Sequence, residues 1–130
     1  MPFVITPIFV GLFVIAQVPL TWIVGMRRVQ TRIRFLGGDD DVLLRRMRAH
    51  GNYTETVPIS LLAMACAELL GMPAVALWVG GALLVAGRIA HAIAILRSGW
   101  APGRSGGMVL TFLAMIEFGA WSLWQSFLQL

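Results

Sequence analysis

The sequence predicts an all-α integral membrane protein, a bundle of four transmembrane helices, and three observations carry that prediction. The 130 residues are 58% hydrophobic and 12% charged, with a mean hydropathy of +0.82, whereas a soluble domain is roughly half apolar and about a quarter charged. The run from Pro2 to Met26 holds no charged residue. At about 1.5 Å per residue it is long enough to cross a hydrocarbon core of roughly 30 Å. Three more apolar segments follow, and none shows the polar alternation of a membrane β-barrel.

In chain order the predicted helices are about Phe3 to Met26, Val42 to Leu70, Pro73 to Leu96, and Gly106 to Leu130. No basic residue precedes the first run and no small-residue cleavage site follows it, so it reads as a retained span rather than a secretory signal. Gly37-Gly38 can adopt the backbone angles that end the first helix, and Asp39, Asp40 and Asp41 suit the positive end of the second. In "GMP", Gly71 closes the second helix and Pro73 opens the third, leaving a tight hairpin. "SGWAPGRSGG", residues 98 to 107, joins the third helix to the fourth, with Ser105 as an N-cap. The whole chain, 1–130, reads as one membrane domain without a repeat or a disordered tail.

All ten basic residues are arginine and the net charge is +4. Seven of them, Arg27, Arg28, Arg32, Arg34, Arg45, Arg46 and Arg48, flank the first junction between apolar segments. That clustering argues against a nucleic-acid partner and for the phosphate headgroups of a lipid bilayer. The first and third connections carry arginine and the second carries no charge, so the first and third are expected on the cytoplasmic side, with both termini on the non-cytoplasmic side. Cys66 stands alone in an apolar stretch. It supports neither a disulfide framework nor a metal cluster and reads as a packing residue.

Ionisable residues inside spanning helices are costly and normally face a bundle interior or a cavity. Arg88 and Glu117 lie about 13 and about 16 Å into the core by the helical rise, deep enough to be a buried pair. Glu68, one turn from the hairpin, reads as interfacial. On the second helix, at about 100° per residue, Arg48, Asn52 and Glu55 fall within about 60° of one another, with His50 nearly opposite. Arg46, Arg48 and His50 can be headgroup anchors and Asn52 an interhelical hydrogen bonder; Pro58 adds a kink beside the cluster. On the third helix Arg88 and His91 share a face, and Ala82, Ala86, Ala90 and Ala94 form a small-residue ridge on the opposite side that reads as helix packing. Arg104 and Ser105, at the start of the fourth helix, join the same end of the bundle as Arg48, Asn52, Glu55 and His91.

Three segments, "RAHGNYTE" (48 to 55), "GRIAHAIA" (87 to 94) and "APGRS" (101 to 105), resemble the signatures of the MAPEG family, membrane-associated proteins in eicosanoid and glutathione metabolism. The likeness covers about residues 25 to 107. It implies a homotrimer of four-helix subunits that binds glutathione, as thiol cosubstrate, at subunit interfaces near the cytoplasmic face. By this resemblance Asn52 and Glu55 hold polar groups of the tripeptide, Arg48 and Arg88 are structural or binding charges, His91 is a contact, and Arg104 and Ser105 stabilise or activate the thiol. A guanidinium with a hydroxyl donor suits that task, because a free thiol has a pKa near 8.5. Two positions depart from the family. Ile95 stands where many members carry tyrosine, and Gly51 where eicosanoid enzymes often carry arginine, which removes a carboxylate clamp.

The function implied is a membrane-bound glutathione-dependent transferase or peroxidase-like enzyme whose thiolate attacks a lipophilic electrophile or hydroperoxide, in a multi-pass protein of a bacterial inner membrane. Two alternatives stand beside it. A small four-helix multidrug transporter has similar length and hydropathy but depends on an acidic residue in its first helix, and Pro2 to Met26 has none. The other is a non-catalytic membrane protein that retains the fold.

Overall fold

A computed structural model describes residues 3–98 and 102–130, and all its regular structure is helical. Helix α1 spans Ile5–Thr31, α2 Asp41–Leu69, α3 Ala74–Ser98 and α4 Pro102–Leu128. By length and composition Ile5–Thr31, Ala74–Arg97 and Pro102–Leu128 are apolar enough to cross a membrane. Helix α2 is the polar one: Arg45, Arg46, Arg48, His50 and Glu55 crowd its first half, and it touches each of the other three helices. The chain is a four-helix membrane bundle.

The core runs along the bundle through Phe9 and Phe13 of α1, Tyr53, Val57 and Met64 of α2, Leu77 and Leu84 of α3, and Ala114 and Phe118 of α4. Many large apolar side chains outside it are exposed, among them Ile15, Trp22, Leu62, Val75 and Trp124, as lipid-facing positions require. Cys66 is also exposed. It is not the packing residue its apolar setting suggested, because α2 turns that position away from its neighbours.

Helix ends follow local chemistry more closely than the apolar runs do. Helix α1 continues past Met26 to Thr31 and ends at Arg32, whose φ of 58° is left-handed, ahead of the Gly37-Gly38 pair. The Arg28 side chain supports that ending by donating to the carbonyls of Ile33, Arg34 and Leu36 at 3.3, 3.1 and 3.1 Å. Asp40 then caps α2, accepting from the Leu43 amide at 2.5 Å and pairing with Arg27 at 2.7 Å. The Arg27 hydrogen bond and the Leu43 amide hold the Asp40 carboxyl below the usual aspartate range.

The hairpin from α2 to α3 forms as the "GMP" sequence requires. Gly71 has φ of 80° and donates to the Glu68 carbonyl, and Met72 donates to Ala67, both at 3.0 Å. This pair of bonds is the Schellman ending that glycine favours. Pro73 follows, its carbonyl accepting from Leu77. Helix α4 begins four residues earlier than its apolar run, with Pro102 in the first turn, where a missing amide costs nothing. Ser105 is therefore inside the helix and not its N-cap. Residues 99–101, the middle of the expected connection, lie outside the described residues.

Glu68, one turn from the hairpin, has a structural role that its position in the chain did not indicate. It is 6% exposed and reaches across the bundle to the start of α1, accepting from the amides of Val4, Ile5 and Thr6 at 2.9, 2.8 and 2.6 Å. Val4 offers no side-chain cap of its own, so a carboxylate from α2 satisfies the open amides and the positive dipole end of α1.

The closest helix contact is glycine on glycine, and the alanine ridge joins it only at its end, where a methyl group at Gly103 would lie 3.5 Å from Ala94 Cβ. A methyl group at Gly87 would lie 2.7 Å from the Gly107 carbonyl oxygen, and one at Gly107 would lie 2.7 Å from that of Gly87. Ala82 and Ala86 are exposed, and only Ala94 of the ridge is buried. The α3–α4 approach matters for the site, because Arg88 directly follows Gly87 in the chain and His91, one turn on, packs against Gly107.

Candidate functional site

Arg88 is 4% exposed and has no carboxylate partner among the described residues. Its Nε donates to Thr111 Oγ1 at 2.9 Å, its Nη1 to Thr56 Oγ1 at 2.9 Å and to Asn52 Oδ1, and its Nη2 lies 3.2 Å from Met108 Sδ. The expected pairing with Glu117 does not occur. Glu117 sits toward the other end of α4, where its carboxylate lies over Gly80 beside Phe118. The buried cation is instead solvated by an amide and two hydroxyls. Those hydroxyls are themselves fixed, Thr56 donating to the Asn52 carbonyl at 2.7 Å and Thr111 to the Gly107 carbonyl at 2.9 Å.

In front of this network lies a polar cavity of about 500 Å³ at the arginine-rich end of the bundle. Arg48, Asn52 and Glu55 line it from α2, His91 from α3 and Arg104 from α4. Five of the residues singled out from sequence thus meet around one space. Arg88 stands behind Asn52, outside the lining. Ser105 is exposed in the first turn of α4 and does not line the cavity either. Among the described residues Arg48 and Glu55 form no hydrogen bond or ion pair, so both side chains are open to an incoming group.

His91 is 4% exposed, and its Nδ1 lies 3.1 Å from the Arg104 backbone carbonyl. Its Nε2 is buried without a partner among the described residues. A donor brought in by a ligand would complete this orphaned atom, which is the clearest sign that the residues present suit a bound molecule.

The rest of the wall was not legible as a site. Leu36 and Gly37 close one side from the α1–α2 connection, and Met47, Ile95 and Met108 supply apolar surface. Gly51 leaves open space, since nothing lies within 4 Å of an added methyl group. Tyr53 is elsewhere: its hydroxyl donates to the Phe13 carbonyl at 2.5 Å and its ring packs 6.0 Å from that of Phe13. A second, apolar cavity of about 280 Å³ between α1, α2 and α3 includes Phe13, Tyr53, Ile89 and the flank of Arg88.

Two of the three headgroup anchors expected on α2 are instead bound to α1. His50 Nε2 lies 3.0 Å from Gln17 Nε2 and 3.2 Å from Thr21 Oγ1, and Arg46 donates to the Ile23 carbonyl at 2.8 Å. The opposite faces of α2 are therefore divided, with His50 tied to α1 and Arg48, Asn52 and Glu55 turned to the cavity.

No curated protein and no solved structure matches the chain. A model of the MAPEG family matches residues 6–124, a stretch that runs through all four helices and contains the whole cavity wall. The chain belongs to the MAPEG family and is a membrane protein of that glutathione and eicosanoid metabolism group.

Proposed function

We propose that the protein is a membrane-bound glutathione-dependent transferase or peroxidase-like enzyme, in which the thiolate of bound glutathione attacks a lipophilic electrophile or hydroperoxide arriving from the bilayer. The observation that carries this reading is the convergence of Arg48, Asn52, Glu55, His91 and Arg104 on one cavity. Glutathione presents an ammonium group, carboxylates, amides and a thiol. Glu55 complements the ammonium, Arg48 and Arg104 complement the anionic groups, and the Asn52 amide serves the peptide. Arg88 acts through Asn52, whose amide it holds in place.

Arg104 is the charge that favours thiolate over thiol, since a neighbouring guanidinium lowers the pKa of a thiol from its ordinary value near 8.5. Within this reading the active form is a homotrimer with the ligand between subunits, where the exposed Ser105 hydroxyl is available to the sulfur. The arginine-rich end is then cytoplasmic, both termini lie on the other side, and the setting is a bacterial inner membrane.

The test is turnover of glutathione with a panel of lipophilic electrophiles and hydroperoxides by the detergent-purified protein. The expected result is turnover that Arg104→Ala lowers by at least about a hundredfold, the scale of losing one charge-stabilising group. No turnover with any member of the panel overturns the proposal.

A further inference from the structure

We propose that His91 is the proton acceptor for the bound thiol, taking the sulfur's proton on Nε2; this rests on the thiol-peptide reading of the cavity. The argument begins with the tautomer. Nδ1 of His91 lies 3.1 Å from the backbone carbonyl oxygen of Arg104. A carbonyl oxygen can only accept, so Nδ1 must carry the hydrogen and donate it. In a neutral imidazole the other nitrogen is then a bare lone pair. That nitrogen, Nε2, is buried and has no partner among the described residues, and His91 forms part of the cavity wall.

A buried acceptor without a donor is an unfinished interaction, and the ligand is what finishes it. Of the donors glutathione offers, the thiol is the one that must give its hydrogen away for the proposed attack. The bond that fixes the ring runs to the backbone of Arg104, the residue whose side chain the proposed function assigns to the thiolate, and both residues line the same cavity. In the step, the S–H bond breaks and the Nε2–H bond forms. Both electrons of the broken bond stay on sulfur, and the imidazolium keeps its Nδ1 hydrogen on the Arg104 carbonyl.

The charges facing His91 decide how such an imidazolium is held. Arg48 of α2 and Arg104 of α4 share the wall with His91, Arg88 lies behind Asn52 on its own helix, and Glu55 of α2 is the one carboxylate of the wall among the described residues. Helix α1 contributes no residue to the cavity. The imidazolium is thus stable only as the partner of the thiolate it creates, which couples proton transfer to ligand binding.

The experiment compares glutathione with S-methylglutathione, which lacks the thiol hydrogen, on native protein and His91→Gln. Glutamine can still donate to the Arg104 carbonyl but cannot take a proton. The expected result is ultraviolet thiolate absorbance per bound glutathione at about pH 7 lowered by tenfold or more in His91→Gln, equivalent to at least about one pKa unit, while S-methylglutathione, which gives the site no proton, still binds. Undiminished thiolate in His91→Gln overturns the proposal. Should that variant fold poorly, calorimetry of glutathione with the native protein in buffers of different ionisation enthalpy decides. Thiolate formation that releases almost no proton to buffer supports a proton retained on His91, and release of about one proton per thiolate contradicts it. If native protein binds neither ligand, the thiol-peptide reading itself fails and this proposal with it.

Discussion

Arg88 and Asn52 join α3 to α2 through a guanidinium that donates to an amide oxygen, and this bond lies directly behind the wall of the polar cavity. It explains how a cation can be 4% exposed in a membrane bundle without a carboxylate. Thr56 and Thr111 complete its shell, so the site's wall and the fold share one set of hydrogen bonds.

Asn52→Leu should therefore lower stability as well as ligand binding. Removing the amide leaves a buried donor of Arg88 unpaired, a loss of about 1–3 kcal/mol. Thermal unfolding in detergent, with circular dichroism as readout, measures the shift, and an unchanged midpoint would contradict the network.

The glycine contact predicts a contrast within one helix. Gly107→Ala would push a methyl group to 2.7 Å from the Gly87 carbonyl and from the His91 amide nitrogen, which forces α3 and α4 apart at a cost of about 1–3 kcal/mol. Gly106→Ala meets nothing within 4 Å and should be neutral or stabilising by up to about 1 kcal/mol. The same unfolding assay compares the pair.

Glu68→Ala should loosen the first turn of α1 selectively. Three amides, those of Val4, Ile5 and Thr6, lose their acceptor, and a lost helix cap costs about 0.5–2 kcal/mol. Hydrogen exchange resolved to the N-terminal peptide should quicken there, with little change in α3 and α4.

The Arg27–Asp40 pair gives acid sensitivity. The folded pKa of Asp40 is depressed by Arg27 and the Leu43 amide. Its contribution is then fully present above the unfolded value, about 3.9 for an aspartate. It is lost as pH falls through the lower, folded value. Asp40→Asn should remove this part of the acid-unfolding limb while leaving the neutral-pH profile flat; stability measured against pH for both proteins checks the sign.

The legible part of the protein was the part set by periodicity and by turn residues. Helical spacing alone put Arg48, Asn52 and Glu55 on one face with His50 on the other, and the cavity and the α1 contacts divide them that way. "GMP" specified its hairpin because glycine's left-handed backbone and proline's missing amide act within a few residues. What sequence could not give was pairing across helices. Depth along separate helices suggested Arg88 with Glu117, but depth carries no rotation, and hydroxyls from Thr56 and Thr111 reached the guanidinium first. Glu68 was hidden for the same reason, since its partners lie more than sixty residues away in the chain. The start of α4 was misplaced because apolarity marks where a helix enters lipid, while Pro102 marks where it begins.

Calorimetric titration of glutathione into the detergent-purified protein tests the central claim most directly. Saturable binding is expected, weakened by about tenfold or more, or roughly 1.4 kcal/mol, in both Glu55→Ala and Arg104→Ala. Absence of binding to the native protein would contradict the account.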